Sequence, residues 1–302
     1  MNIKQYLNRR NALFVLLCAL AFIMAYFSIK TLYYSSSNRE YYSHIILIPL
    51  VSLYLLYQEQ KGIFKDGRGA HGPRYDWKTG VPLLMGGVLL FFAGQLSAFH
   101  LNQNDITSVI ALSAVVFIYG AFVLCYSRQA FKAALFPLLF LIFMIPFPSA
   151  IIDGIVYALT MGSTEFTNVL LMVSGVPFLR DGTVFHLPSI SVEVAPQCSG
   201  IRSALALFIT ATVAGHLFLR TGWKKVVLAL VAIPIAMFKN GIRIVSLTLL
   251  GAYVDPRILQ SSLHREGGIP FFIVALLLLA PVLYFLRKSE GLGFRGKGGN
   301  FP

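Results

Sequence analysis

Long apolar runs recur along the whole chain, near residues 12–29, 43–57, 80–99, 106–126, 131–147, 199–219, 226–249 and 270–286. A helix needs about 20 mostly apolar residues to cross roughly 30 Å of hydrocarbon, and a water-soluble core has no use for so many runs of that length. Charged residues make up only 12% of the chain against 57% hydrophobic ones, where a soluble domain carries about a quarter charged. These features predict an all-α, polytopic transmembrane helical bundle of about eight spans. The second and fifth runs are short, so they would have to tilt or thin the bilayer locally. Arg9 and Arg10 precede the first run, and no small-residue cleavage site follows it, which reads as a retained anchor and not a removed signal peptide.

The chain carries 25 Lys and Arg against 12 Asp and Glu, a net charge of +13. A nucleic-acid-binding surface needs a solvated basic face. Here the basic residues lie in short clusters between apolar runs, so the partner expected is the lipid bilayer, with no nucleic acid. Orientation turns on residues 150–173, an apolar stretch broken by Asp153, Glu165 and Asn168. If the N-terminus is cytoplasmic and this stretch lies along the outer interface, seventeen Lys and Arg fall on the inner side and five on the outer: Lys30, Arg39, Arg180, Arg257 and Arg265. That distribution obeys the positive-inside rule. If 150–173 crossed, the cluster Arg220, Lys224 and Lys225 would move outside and the bias would weaken. The expectation is therefore eight spans with both termini cytoplasmic.

In that arrangement the longest outer segment is 148–198. Its second half holds the turn signal Asp181-Gly182 and then the partly alternating Val184, Phe185, Leu187, Ile190, Val192 and Val194. This pattern predicts a small β-hairpin before residue 198, with an irregular loop as the plainer alternative.

Cysteines occur at 18, 125 and 198, and the topology leaves Cys198 alone at the outer face. The run Pro196-Gln197-Cys198-Ser199-Gly200 leads into an apolar helix. A thiol at a helix start meets unsatisfied N–H groups and a dipole that favour thiolate, and the same N–H groups suit an oxyanion. The plainer reading is a small buried hydrophobe at a helix start. Arg243 lies about 17 residues into its span, ~25 Å across at ~1.5 Å per residue, and shares a depth with Cys198. Intramembrane arginines are costly and suggest function, although this one could snorkel to the outer headgroups. Asn240 falls on the Arg243 face and could orient the guanidinium. Arg202, one turn below Cys198, competes for the electrostatic role or pairs with Glu193 or Glu165. A base serving the thiol must share its side of the membrane, which leaves His264 and His186. Gly267 and Gly268 would let the His264 loop fold back over the bundle, which slightly favours His264.

Other signatures fail. There is no HExxH, no paired glutamates of a membrane protease, no GxSxG and no P-loop. His186, Glu193, Cys198 and His264 lack close ligand spacing on a regular element, so neither a metal nor another cofactor is expected.

QCSGIRS at the head of a span, NGIRIVSL near the outer end of the next and HREGG before the last together resemble the exosortase/archaeosortase family. VPFLRDGTVFHLPSISVEVAP is similar to that family's segment before the cysteine. The likeness covers roughly residues 140–286. It implies a single integral membrane domain over 1–302, with N-terminal membrane helices (1–135), a catalytic core (140–286) and a cytoplasmic basic, Gly-rich tail (287–302). It also implies that Cys198, Arg243 and His264 are catalytic, supported by Asn240, Arg202, Ser199 and Gly200. The activity implied is a cysteine-dependent transpeptidase or protease of the cell inner membrane, with its active site on the extracytoplasmic side. Its substrates would be exported proteins bearing a C-terminal recognition motif, often Pro-Glu-Pro, then one hydrophobic span and a basic cluster. The tail would be cleaved through a Cys198 thioester and the protein passed to an acceptor, often in cells that make exopolysaccharide. The rival reading is a non-enzymatic transport or exopolysaccharide-assembly component, in which Arg243 and Arg202 bind an anion.

Overall fold

The structure, a computed structural model, describes residues 8–35, 42, 44–64, 75–96, 101–255, 257 and 268–295. The chain separates into two compact units, Met1–Ile151 and Ile152–Pro302. The first contains α1 (Arg9–Ser35), α2 (Leu47–Ile63), α3 (Trp77–Gln95), α4 (Gln103–Ala133) and α5 (Leu135–Phe140), followed by a 3-10 turn at Leu141–Met144. Helix α6 (Ser149–Ser174) begins at its edge. The second unit holds most of α6, three short strands, α7 (Ile201–Phe218), α8 (Gly222–Tyr253) and α9 (Gly268–Arg295).

Helices α3 and α4 approach closely because α3 places Gly80, Gly87 and Gly94 seven residues apart on one face. A Cβ on Gly80 would stand 2.7 Å from Leu124 Cα, and one on Gly87 would stand 2.9 Å from Phe117. Gly120 returns the contact from α4, where a Cβ would meet the Leu84 backbone N at 2.6 Å. Between helices in lipid the hydrophobic effect offers no drive, so such close van der Waals contact carries the association. Both helices start on side-chain caps: Asp76 accepts from Thr79 N–H at 3.2 Å and Asn102 from Asp105 N–H at 2.9 Å. Asp105 in turn accepts from Ser149 N–H at 2.7 Å, which caps the start of α6.

The fifth apolar run does not form one straight span. Helix α4 breaks its regular geometry at Ser127 (φ 82°, ψ 161°) and ends at Ala133. Pro137 has no N–H to offer the residue 133 carbonyl and clashes with it, so the helix cannot run through. The two helical segments Leu135–Met144 and Ser149–Ser174 meet at an 89° bend, across Pro146-Phe147-Pro148. Among the described residues six helices are long and apolar enough to cross a membrane, or seven if the bent pair counts as one. Helix α2, at 17 residues, spans about 25 Å. The all-α polytopic fold is as expected, with the count of about eight reduced by these two short segments. Large apolar side chains point outward along the helices, among them Val15, Phe22, Leu89 and Leu277, each 65–68% exposed. Hydrocarbon, not water, is the solvent that suits such a surface.

In the second unit the helices pack through small residues. Ala211 of α7, Ala232 and Ala236 of α8 and Ala275 of α9 form a common core with Leu207, Leu228 and Leu279. At one end of this core Glu290 accepts from the Arg220 and Thr221 N–H groups, at 2.8–3.1 Å, and Lys224 Nζ donates to Ser289 Oγ at 2.7 Å. The α7–α8 turn is thereby fastened to α9. Helix α6 buries a stripe of Thr160, Ser163, Thr164 and Thr167 and meets α8 closely, since a Cβ on Gly241 would fall 2.9 Å from Phe166 Cβ.

The expected hairpin is present and larger than expected. Strands β1 (Leu179–Asp181), β2 (Val184–His186) and β3 (Ser191–Glu193) form an antiparallel sheet in the order β1-β2-β3. Asp181 pairs with Val184 across a two-residue turn in which Gly182 takes φ +60°, a conformation that glycine adopts without steric cost. Phe185, only 1% exposed, seals the sheet against Leu171 of α6 and Ile244 and Val245 of α8.

Candidate active site

The sheet delivers the chain to a 3-10 turn at Pro196–Cys198, and α7 starts at Ile201. Cys198 therefore sits just ahead of the helix start and not on its first turn. Its N–H donates to Ala195 O at 2.8 Å, and Ser199 N–H donates to Pro196 O at 3.1 Å. Gly200 caps α7 in the left-handed conformation (φ 70°, ψ 21°). A Cβ there would stand 2.9 Å from Asn240 Oδ1, so both backbone geometry and space demand glycine.

Two consecutive residues of α8 grip this turn. Asn240 Nδ2 donates to the Cys198 carbonyl at 2.7 Å and to Ser163 Oγ of α6 at 3.1 Å. Lys239 Nζ donates to Ser203 Oγ at 2.5 Å, and Ser203 Oγ donates to the Gly200 carbonyl at 2.9 Å. Lys239 and Asn240 are 2% and 1% exposed. Residues from three helices and the turn thus form one buried polar network. Asn240 orients the cysteine's backbone, where spacing alone had suggested that it orients Arg243.

Cys198 and Arg243 line one cavity of about 40 Å³, with Val192 and Glu193 of β3 and Ile244 and Thr248 of α8. Cys198 is half-buried and forms no disulfide. Ser199 Oγ and Asn240 Oδ1 are buried with no hydrogen-bond partner among the described residues. Arg202 is exposed on α7. Glu165, one of the two carboxylates weighed as a partner for Arg202, pairs instead with Arg180, at 2.6 Å. The Glu165 hydrogen bond raises the Arg180 guanidinium above its ordinary pKa, and with 65% of the Glu165 side chain exposed the pair remains a solvated one.

His264 lies outside the described residues, as does Arg265. His186 is exposed on β2, where its Nδ1 meets Ser191 Oγ at 2.8 Å, and it is not among the residues lining the Cys198 cavity. No group of three or more His, Cys, Asp or Glu side chains gathers into a metal-like cluster among the described residues. Sequence reasoning missed the roles of Lys239, Ser163 and Ser203. A lysine within a span was the one visible signal for them, and it does not reveal its partner.

The fold and this cavity define a multi-pass membrane protein whose cysteine and arginine, brought from two different helical regions, face one space. The chain belongs to the transmembrane exosortase family, whose model matches residues 36–281. No curated protein and no solved structure matches it.

Proposed function

We propose that this chain is a membrane-embedded cysteine transpeptidase that removes the C-terminal sorting tail of exported proteins and passes them to an acceptor. The observation that carries this reading is the shared cavity of Cys198 and Arg243, which are separated along the chain by all of α7, a turn and most of α8. Family membership supports it. The substrate's hydrophobic span holds its recognition motif beside the bilayer, so attack by the Cys198 thiolate on the scissile carbonyl is effectively intramolecular. The oxyanion that forms is stabilised by the Arg243 guanidinium and by the N–H groups that the first turn of α7 leaves unbonded. The N–H groups of Cys198 and Ser199 are committed to their own turn. His264 protonates the leaving amine and later deprotonates the acceptor, a role that rests on the family resemblance, with His186 as the substitute. The site faces the extracytoplasmic side of the cell inner membrane, with both termini cytoplasmic.

The test is co-expression with a reporter bearing a recognition motif, one hydrophobic span and a basic cluster. Cys198→Ala abolishes the size shift of the reporter with normal membrane insertion, Arg243→Ala slows it on the order of 10²-fold or more, and His264→Ala reduces it strongly. Equal processing by Cys198→Ala and the parent removes the enzyme reading and leaves a transport or assembly component in its place.

A further inference from the structure

A second, larger cavity of about 400 Å³ lies beside the first, within the usual size range of small-molecule sites. One face of α6 supplies Asp153, Tyr157, Thr160 and Met161, and the sheet supplies Thr183 and Glu193. Pro196, which opens the turn carrying Cys198, also lines it. Glu193 lines both cavities, so one carboxylate borders the larger space and the space that holds the thiol.

The chemistry of the lining is one-sided. It holds two carboxylates and no lysine or arginine, which disfavours phosphate, sulfate or carboxylate ligands. A second observation points the same way: Thr160 is 4% exposed, and its buried hydroxyl has no hydrogen-bond partner among the described residues. Thr160 lies seven residues after Asp153, two helical turns along the same face. An ammonium group needs several oxygen acceptors, and two carboxylates with a hydroxyl supply them.

We propose that this cavity is the acceptor site, and that it holds a primary ammonium against Asp153, Glu193 and the Thr160 hydroxyl. The inference rests on the transpeptidase reading above and adds to it the class of the second substrate. The base named above takes one proton from the bound ammonium, held by the carboxylates, which leaves a neutral amine. The nitrogen lone pair attacks the carbonyl carbon of the Cys198 thioester, and the C–N bond forms. The C–S bond then breaks, and the second proton lost from nitrogen goes to sulfur, which restores the thiol. The sum converts thioester and ammonium into amide, thiol and one released proton, with no oxidant or reductant.

The full chain is reconstituted with the tail-bearing reporter in phosphatidylcholine vesicles, which offer no primary amine. Equal concentrations of ethanolamine and of hydroxylamine, a nucleophile uncharged at neutral pH, are added, and the new reporter C-terminus is read by mass. A parallel arm uses vesicles containing phosphatidylethanolamine without added ethanolamine. The mass increment then tells a soluble amine from a lipid headgroup, either of which satisfies the inference. The ratio of ammonium-derived adduct to hydroxylamine adduct is expected to fall about fivefold in Asp153→Asn and in Glu193→Gln, and to fall also in Thr160→Val. Because each variant is scored by this internal ratio, the hydroxylamine adduct itself reports folded protein. An unchanged ratio in either carboxylate variant overturns the acceptor site, as does a parent chain that yields hydroxylamine adduct but none from any primary ammonium. Absence of hydroxylamine adduct in the parent overturns the thioester, and with it the proposed function.

Discussion

Asn240 carries much of the site's geometry while bearing no charge. Its amide holds the Cys198 carbonyl and Ser163 Oγ, and its carbonyl oxygen occupies the space that a side chain at residue 200 would need. Replacing it with leucine leaves two buried acceptors without their donor, at a cost of about 1–3 kcal/mol each. Asn240→Leu is therefore expected to unfold at lower temperature in detergent, to expose Cys198 to maleimide faster than the parent does, and to process the reporter poorly. Unchanged Cys198 labelling would show that the asparagine does not hold the cysteine turn. At this scale the sequence was informative about depth and face but not about partner. Helical spacing placed Arg243 level with Cys198 and put Asn240 on the Arg243 face. Which neighbouring group the amide would choose depends on the crossing of α6, α7 and α8, and no periodicity within α8 encodes that.

Helices and strands show the same division. Gly80, Gly87 and Gly94 make α3 flat where α4 lies, so a leucine at Gly87 has no room against the Phe117 backbone. Gly87→Leu is expected to cost the α3–α4 contact and lower the midpoint of thermal unfolding in detergent, whereas Gly86→Leu, with nothing within 4 Å of its Cβ position, leaves the midpoint nearly unchanged. Equal midpoints for the two would show that the close approach contributes nothing. Apolar run length announced seven of the helices directly. It misjudged the fifth run because hydropathy registers apolarity, while Pro137, Pro146 and Pro148 decide where a helix can continue. In the sheet, Asp181-Gly182 marked the first turn. The third strand, Ser191–Glu193, falls within the alternation of Ile190, Val192 and Val194 and pairs with Val184–His186, whereas Leu179–Asp181, with no alternation to mark it, forms the added strand.

For the whole molecule, the uneven placement of basic residues sets the expected orientation. Ser189 and Gly222 are both exposed and fall on opposite sides of that arrangement. In a chain freed of its own cysteines, a membrane-impermeant maleimide added to intact cells is expected to label Ser189→Cys and to spare Gly222→Cys until the membrane is opened. The reverse pattern would invert the orientation and place Cys198 on the cytoplasmic side. The network around Lys239 has a further consequence for how such a chain is made. Helix α8 carries a lysine and an arginine one turn apart, and a charge released alone into hydrocarbon costs at least about 2.5–3.5 kcal/mol. Lys239 finds its oxygen partner on Ser203 of the preceding helix. A helix α8 that inserts beside α7 lets Lys239 meet this oxygen at once and so lowers the cost of carrying the charge into the lipid.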